Sequence, residues 1–252
     1  MKIDINADLG ESFGQYTLGD DEKLMSVITS ANVACGYHAG DYRTIPQSIK
    51  LAKAANVAIG AHPGYPDLLG FGRRNMDIPA EEVYQLVVYQ VGAVRAFCMV
   101  EGVPLHHVKP HGALYNEAAK NRNLALAIAQ AVKDVDPRLV LYGLANSQLI
   151  EAAKQLDLAY APEVFADRTY TEEGLLTSRQ YDGAVITSLE SIKKQVSELV
   201  FEGVVTTATN KKIPMQADTL CFHGDGQSAY HHAKVIRDML EADRVNVQAI
   251  NY

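Results

Sequence analysis

The sequence predicts an α/β fold in which about seven parallel strands close into one distorted, TIM-like (β/α) barrel. Three observations predict it. Apolar runs of strand length alternate with amphipathic stretches of helix length, no change of composition divides the 252 residues, and nearly every apolar run ends in a polar side chain. A flavodoxin-like open sheet is the alternative, but it would gather its polar residues at a single switch point. We therefore expect one domain over residues 1–252.

Composition and charge exclude several classes of protein. The hydrophobic fraction is 48% and the net charge is −7, so the chain has no basic stripe that would neutralise nucleic-acid phosphates. No apolar run approaches the ~20 residues of a membrane span, and the first residues resemble a strand rather than a signal peptide. Cys35, Cys98 and Cys221 are odd in number and far apart, which suits a reducing compartment. We expect a cytoplasmic enzyme without a membrane or nucleic-acid partner.

The first predicted strand, residues 3–9, alternates apolar and polar side chains. Its polar face carries Asn6 and Asp8 and leads to Glu11 in a glycine-flanked acidic turn. In a small barrel, polar residues near the end of an inward face point into the mouth of the active site. A solvent-facing edge strand would give the same alternation.

The next two predicted strands are residues 30–35 and the fully apolar residues 57–61, and each ends in a histidine turn. His38 lies between two glycines with Asp41 just behind it, and His62 opens a long loop that contains Arg73. Glycines let the backbone approach a ligand closely, and a long loop rich in Gly and Pro could close over a site.

The fourth strand ends in the string Val108-Lys109-Pro110-His111-Gly112, around which the rest of the chain is organised. Proline cannot continue a sheet ladder, so Lys109 and His111 mark the carboxyl end of this strand. We expect a helix from about Asn116 onwards. His106 and His107 are predicted to precede the strand and to be structural.

The remaining strands are predicted at residues 139–143, 158–164 and 218–222, with an irregular excursion over 171–179. Their ends carry Glu163, Asp167, Arg168, His223 and Asp225. The predicted helices cover residues 21–28, 44–55, 79–101, 123–133, 147–156, 191–204 and 229–240.

These strand-end residues restrict the chemistry. The chain has no phosphate-binding P-loop string. Carboxylates with imidazoles suit either a general base that activates water or a divalent metal with open positions. A metal would take Asp8, His62 and a further histidine, but neither Asp8 nor His62 lies in an HxxxH or HExxH string, and Lys109 better suits an oxyanion.

Six strings of the chain resemble the LamB/YcsF family, in order from the first strand to the last. They are residues 5–11 (INADLGE), 31–41 (ANVACGYHAGD), 60–64 (GAHPG), 108–116 (VKPHGALYN), 163–168 (EVFADR) and 223–225 (HGD). The resemblance implies a barrel of the glycoside hydrolase/deacetylase type. It also implies ATP-coupled hydrolysis of 5-oxo-L-proline to L-glutamate, together with two partner subunits, B and C.

On this interpretation Asp8, His62, Lys109 and His111 are catalytic, and no residue is assigned as a metal ligand. The residues expected to bind substrate are Asn6, Glu11, His38, Asp41, Arg73, Glu163, Asp167, Arg168, Arg179, His223 and Asp225. The chain departs from the family at Thr177-Ser178, where Val-Pro is usual before Arg179. Because proline no longer fixes the backbone there, we expect a less stiff loop.

Two other functions stay open at this point. The same barrel could serve a metal-dependent amide or carbohydrate deacetylase, or a non-catalytic subunit that binds a carboxylate. ATP is expected as co-substrate, held by the partner subunits if not by this chain. A divalent metal and a homo-oligomer are left undecided.

Overall fold

A computed structural model describes residues 1–222 and 229–251 of the chain. The predicted site residues His223 and Asp225 therefore lie outside the described residues. The barrel strands are β1 (Lys2–Leu9), β2 (Ser30–Ala34), β3 (Ala58–His62), β4 (His107–Val108), β5 (Val140–Leu144), β6 (Tyr160–Phe165) and β9 (Thr219–Phe222). These seven parallel strands close into a barrel because β9 pairs with both β6 and β1. This confirms the predicted fold class.

Helices cover the outside of the barrel. They are α1 (Asp21–Met25), α2 (Thr44–Ala55), α3 (Ala80–Glu101), α4 (Gly112–Ala118), α5 (Arg122–Val135), α6 (Gln148–Gln155), α7 (Leu189–Ser197) and α8 (Ala229–Ala242). Along α3, Val83, Val87, Val91 and Val94 recur at helical spacing and are fully buried. Burial of such stripes against the strands forms the main core.

Three predicted helix boundaries are wrong. The helix predicted over 21–28 ends at Met25. The helix after β4 begins at Gly112 rather than near Asn116, directly behind His111. The helix predicted over 191–204 ends at Ser197 and continues as a π-helical turn, Glu198–Glu202. Gly203 then adopts a left-handed conformation with φ of 65° and terminates it, so that Val204 can enter a strand.

Three short strands were not predicted. The strands β7 (Val204–Thr206) and β8 (Lys212–Pro214) form an antiparallel hairpin outside the barrel, and β10 (Asn246–Val247) pairs with the start of β1. His107 lies within β4 rather than before it, and its side chain points into the barrel, where it is fully buried.

Among the described residues, one helix is long and apolar enough to cross a membrane by length and composition alone. This helix is α3, which packs against α2, α5 and β3, as core helices of globular proteins do. The expectation that no apolar segment approaches membrane length is therefore corrected for α3.

Candidate active site

The floor of the candidate site is a buried ion-pair network centred on Lys109. Its Nζ lies 2.9 Å from a carboxylate oxygen of Asp8 and 2.9 Å from one of Glu163. It also lies 3.2 Å from Asn6 Oδ1 and 3.0 Å from Cys221 Sγ. Although burial acts to lower the pKa of Lys109, these neighbouring charges hold it well above its usual range. Lys109 therefore stays a cation between two carboxylates.

The register of the strands explains why these side chains meet. Asp8 pairs with Asn32, Asn32 with Gly60, and Gly60 with His107, so the four residues form one row across β1 to β4. Residues in one row of a parallel barrel point the same way, here toward the interior. Asn32 donates hydrogen bonds from its amide to Asp8 at 2.9 Å and to Asn6 at 2.8 Å. Asn32 and His107 thereby position the acidic face of β1.

Glu163 is held from three sides at the end of β6. Asn6 Nδ2 donates to it at 3.0 Å, Tyr115 donates its hydroxyl at 2.6 Å, and Lys109 forms the ion pair. It is fully buried. Glu163 therefore orients Lys109 from beneath, while Asp8 is the carboxylate nearer to the mouth.

A second cluster lies beside Asp8 at the carboxyl ends of the first four strands. It consists of Glu11, His38, His62 and His111, all buried, and one donor atom from each lies within 4.8 Å of the others. His62 Nε2 is 3.3 Å from Asp8 Oδ2, so the two clusters are contiguous. Burial first, and the neighbouring histidines next, hold the pKa of both His38 and His111 well below the usual value of 6.5. These rings are therefore neutral, the form in which imidazole binds a metal.

The cavity above these clusters has a volume of about 760 Å³ and a cationic lining. Asp8, His62, Lys109 and His111 line its inner part, and Arg73, Arg168 and Arg179 line its outer part. A mouth of this composition favours an anionic small molecule.

Arg168 also braces the wall of the cavity. Its guanidinium donates to the carbonyl of Ala184 at 3.1 Å and to that of Thr177 at 2.5 Å. Burial and the nearby Arg179 lower its pKa to about 10, so it stays charged at neutral pH. Arg168 donates to the main-chain carbonyl of Thr177. This hydrogen bond therefore does not depend on the side chain of Thr177, although the family usually has valine at that position. The neighbouring Asp167 is not among the residues that line the cavity.

Asp41 lies away from this cavity lining, and its carboxylate is used by backbone groups. It accepts hydrogen bonds from the N–H groups of Gly14, Arg43 and Thr44, each at 2.8 Å. This arrangement joins the loop after β1 to the start of α2. The geometry thus gives Asp41 a structural task.

The sequence predicts the four catalytic candidates, but it does not predict several of the residues that hold them in place. Asn32, Tyr115 and Cys221 were not proposed as site residues, and His107 was described only as structural. A signal existed for Asn32, since it is the single amide in an otherwise apolar strand and would share a face with Asp8 if β1 and β2 paired in parallel.

The sequence profile of the LamB/YcsF family matches residues 3–252. A protein of Staphylococcus aureus (strain bovine RF122 / ET3-1), named as the A subunit of 5-oxoprolinase, is 53% identical over 250 residues, which cover 99% of this chain and 100% of the relative. A crystal structure described as a lactam utilization protein, from Thermus thermophilus, is 45% identical, covers 99% of this chain and 100% of its own, and superposes with a TM-score of 0.93.

A more distant structure shares the fold alone. It is a family 4 carbohydrate esterase from Streptomyces lividans in complex with acetate, 11% identical, with a TM-score of 0.53 over 99% of this chain and 93% of its own. The expected likeness to barrels of the deacetylase type is thereby confirmed at the level of architecture.

Proposed function

The chain belongs to the LamB/YcsF family, and from this premise we propose that it acts as the A subunit of an ATP-dependent 5-oxoprolinase. The reaction hydrolyses the lactam of 5-oxo-L-proline to L-glutamate while ATP is hydrolysed to ADP and phosphate. The observation that carries the proposal is the pair formed by Asp8 and Lys109 on the floor of an arginine-lined cavity. A carboxylate base and a buried cation suit water attack on a carbonyl, and the arginines suit an anionic substrate.

The proposed division of labour places ATP on subunits B and C and ring opening on this chain. An unstrained five-membered lactam is a poor electrophile, so phosphorylation of its oxygen by ATP would activate the carbonyl carbon. Water then adds to that carbon, and the carbon–nitrogen bond breaks as the ring nitrogen takes up a proton. A second water hydrolyses the resulting acyl phosphate to glutamate and phosphate. No described residues form the phosphate-binding loop of a P-loop ATPase, which favours this division.

Each proposed role follows from a position in the cavity. Asp8 accepts the proton of the attacking water, and Lys109 binds the phosphoryl oxygens carried by the activated carbonyl. Arg73 and Arg179 on the outer lining hold the substrate carboxylate or the phosphoryl group. His62 and His111 position Asp8 and the mouth of the site.

The proposal extends to the setting of the reaction. All three cysteines are free and buried, which suits the reducing cytoplasm. We propose one domain that works in a complex with subunits B and C.

Reconstitution tests this function. Release of glutamate and ADP from 5-oxoproline and ATP is measured with this chain alone, with subunits B and C alone, and with all three. We expect turnover only in the complete mixture, and a loss of about 10²-fold or more in glutamate release for Asp8→Asn. The matched control is Asp157→Asn, which makes the same change at an exposed position with a left-handed backbone that Asn tolerates. Full activity of Asp8→Asn, or no turnover in any mixture, would reject the assignment.

A further inference from the structure

The cluster of Glu11, His38, His62 and His111 has a geometry that the proposed ring opening does not require. The four side chains come from the ends of four successive strands, β1 to β4, and each is at most 8% exposed. One donor atom from each of three imidazoles and one carboxylate lies within 4.8 Å of the others, away from solvent. Hydrogen bonding alone does not require so many donor atoms to converge on one point.

Hydrogen bonds on the outer side of two rings fix where their protons lie. Nδ1 of His62 is 2.7 Å from the carbonyl oxygen of Lys109, and Nε2 of His111 is 2.9 Å from that of Phe71. A carbonyl only accepts, so each of these nitrogens carries the proton. The opposite nitrogens, His62 Nε2 and His111 Nδ1, lie 2.9 Å apart, and in the neutral form of both rings each presents a lone pair to the other.

Two lone pairs at that distance repel unless a positive charge lies between or beside them. Outer-side hydrogen bonds to carbonyl groups are also the usual way in which proteins orient metal-binding histidines. The backbone around His62 and His111 thus already holds both rings in the orientation that a metal ion would require.

His38 points to the same place. Its ring stacks on His111 with centroids 3.7 Å apart and planes 1° apart, and its Nε2 lies 3.6 Å from Glu11 Oε1. It is fully buried, yet neither ring nitrogen has a hydrogen-bond partner within residues 1–222 and 229–251. A buried imidazole without a hydrogen bond loses its hydration without compensation, so a further component is expected in the cluster.

We propose that Glu11, His38, His62 and His111 bind one divalent transition-metal cation. The donor atoms would be Oε1 of Glu11, Nε2 of His38 and of His62, and Nδ1 of His111. Metal–nitrogen bonds of about 2.0–2.1 Å place neighbouring tetrahedral donors about 3.4 Å apart. Glu11 Oε1 lies 3.6 Å from His38 Nε2 and 3.7 Å from His111 Nδ1. A rotation of the His38 ring out of its parallel stack on His111 would let both lone pairs converge on one ion and complete the shell.

The donor set also selects the kind of cation. Imidazole nitrogen suits zinc, iron, cobalt, nickel and copper, whereas magnesium and calcium prefer shells made of oxygen. The ammonium of Lys109 does not oppose a cation here, because Asp8 and Glu163 both pair with it. Bound in this place, a cation would supply Lewis-acid chemistry beside Asp8.

The test uses the full chain without substrate or partner subunits, so its outcome is separate from that of the reconstitution. Protein stripped with a chelator is titrated with Zn²⁺ by calorimetry, with Mg²⁺ as the comparison cation, and bound metal is counted by elemental analysis. We expect one Zn²⁺ per chain and no comparable binding of Mg²⁺. Substitution of Co²⁺ should give visible absorption bands of a nitrogen- and oxygen-ligated ion.

Two variants test the ligands, and a third serves as control. His38→Ala and Glu11→Gln should each weaken Zn²⁺ binding by about 100-fold or more, since loss of a direct ligand costs at least as much as loss of its support. His231→Ala removes an exposed histidine of α8 and should bind as the unaltered chain does. Glu11→Gln nearly preserves shape, which keeps the test valid if His38→Ala fails to fold. Absence of stoichiometric Zn²⁺, or equal affinity in Glu11→Gln and the unaltered chain, would overturn the proposal.

Discussion

At the scale of single residues, Lys109 is the buried cation that compensates two carboxylates inside the barrel. It is 2% exposed and pairs with two carboxylates, so each of the three charges depends on the others. Removing one partner of a buried pair leaves an uncompensated charge, whereas an exposed pair contributes little. The two situations can be compared within this chain.

We predict that Lys109→Met lowers the free energy of unfolding by about 3–5 kcal/mol, because Asp8 and Glu163 would keep buried charge without a cation. Lys234→Met is the matched control, since Lys234 pairs with Asp238 at 2.8 Å while both side chains are exposed. It should change stability by less than about 1 kcal/mol. Urea unfolding at pH 7 measures both. Equal small losses would show that the network is hydrated and does not behave as a buried pair.

The residues of this network differ in how well the sequence predicts them. Asp8 and Lys109 could be predicted because each follows the pattern of a strand that ends in a reactive side chain. His107 could not be placed, since β4 has only two residues and its pairing with β3 is decided by the closed barrel. Its contact with Asn32 joins positions 75 residues apart, a separation that no local pattern encodes.

At the scale of elements, Asp41 shows how a loop and a helix are joined by one carboxylate. Hydrogen bonds from backbone N–H groups lower the pKa of Asp41 from 3.8 to about 2, and the one from Gly14 has the largest effect. The folded state therefore favours the ionised form. The stability that Asp41 contributes is complete above about pH 4 and is lost as the pH falls toward 2.

We predict that Asp41→Ala lowers stability by about 1 kcal/mol at pH 7, as is typical when a helix loses its cap. The difference from the unaltered chain should narrow as the pH is lowered, because the carboxylate becomes protonated in both states. Urea unfolding at pH 7 and near pH 3 measures this. Asp41→Asn keeps an acceptor without a charge, so its smaller deficit should change less with pH. A deficit of Asp41→Ala that is the same at both pH values would refute the role.

The excursion between β6 and α7 is held by Arg168, and this hold can be tested separately from the chemistry. Arg168→Met removes the hydrogen bonds to Thr177 and Ala184. Hydrogen bonds of a charged donor contribute about 1.5–3 kcal/mol each, so amides of residues 169–185 should exchange about tenfold faster or more. Hydrogen exchange with mass spectrometry measures it. Arg122→Met, at an exposed position of α5, should leave the exchange rates of residues 169–185 unchanged. Unchanged exchange in Arg168→Met would show that the segment keeps its structure without these two hydrogen bonds.

At the scale of the whole molecule, the closed barrel was predictable and its accessory strands were not. Seven apolar runs with polar ends specify parallel strands and a common mouth. The hairpin of β7 and β8 has three residues in each strand, and β10 has two, which is too short for an alternation to be detected. The cluster of Glu11, His38, His62 and His111 could not be predicted from a linear motif either. Its members stand at positions 11, 38, 62 and 111, and only barrel closure brings them within 4.8 Å.

Closure also imposes a limit on volume inside the barrel, and Gly60 is where it can be measured. A Cβ built at Gly60 would lie 2.1 Å from Nε2 of His107, the atom that donates a hydrogen bond to Oδ1 of Asn32 at 2.8 Å. The extra methyl group must push His107 away from Asn32, and Asn32 in turn holds Asp8. One carbon atom in β3 thus disturbs the row that crosses four strands.

We predict that Gly60→Ala lowers the free energy of unfolding by about 1–3 kcal/mol, the usual cost of overpacking a filled core. Gly92→Ala is the matched control, because Gly92 lies in α3 and a methyl group added there would meet nothing within 4 Å. It should raise stability by about 0.5–1 kcal/mol, since Ala is the better helix former. Urea unfolding measures the free energy of unfolding of both variants. The same added methyl group should lower it at Gly60 and raise it at Gly92. If Gly60→Ala is as stable as the unaltered chain, His107 has room to move, and the row from Asp8 to His107 does not act as one packed unit.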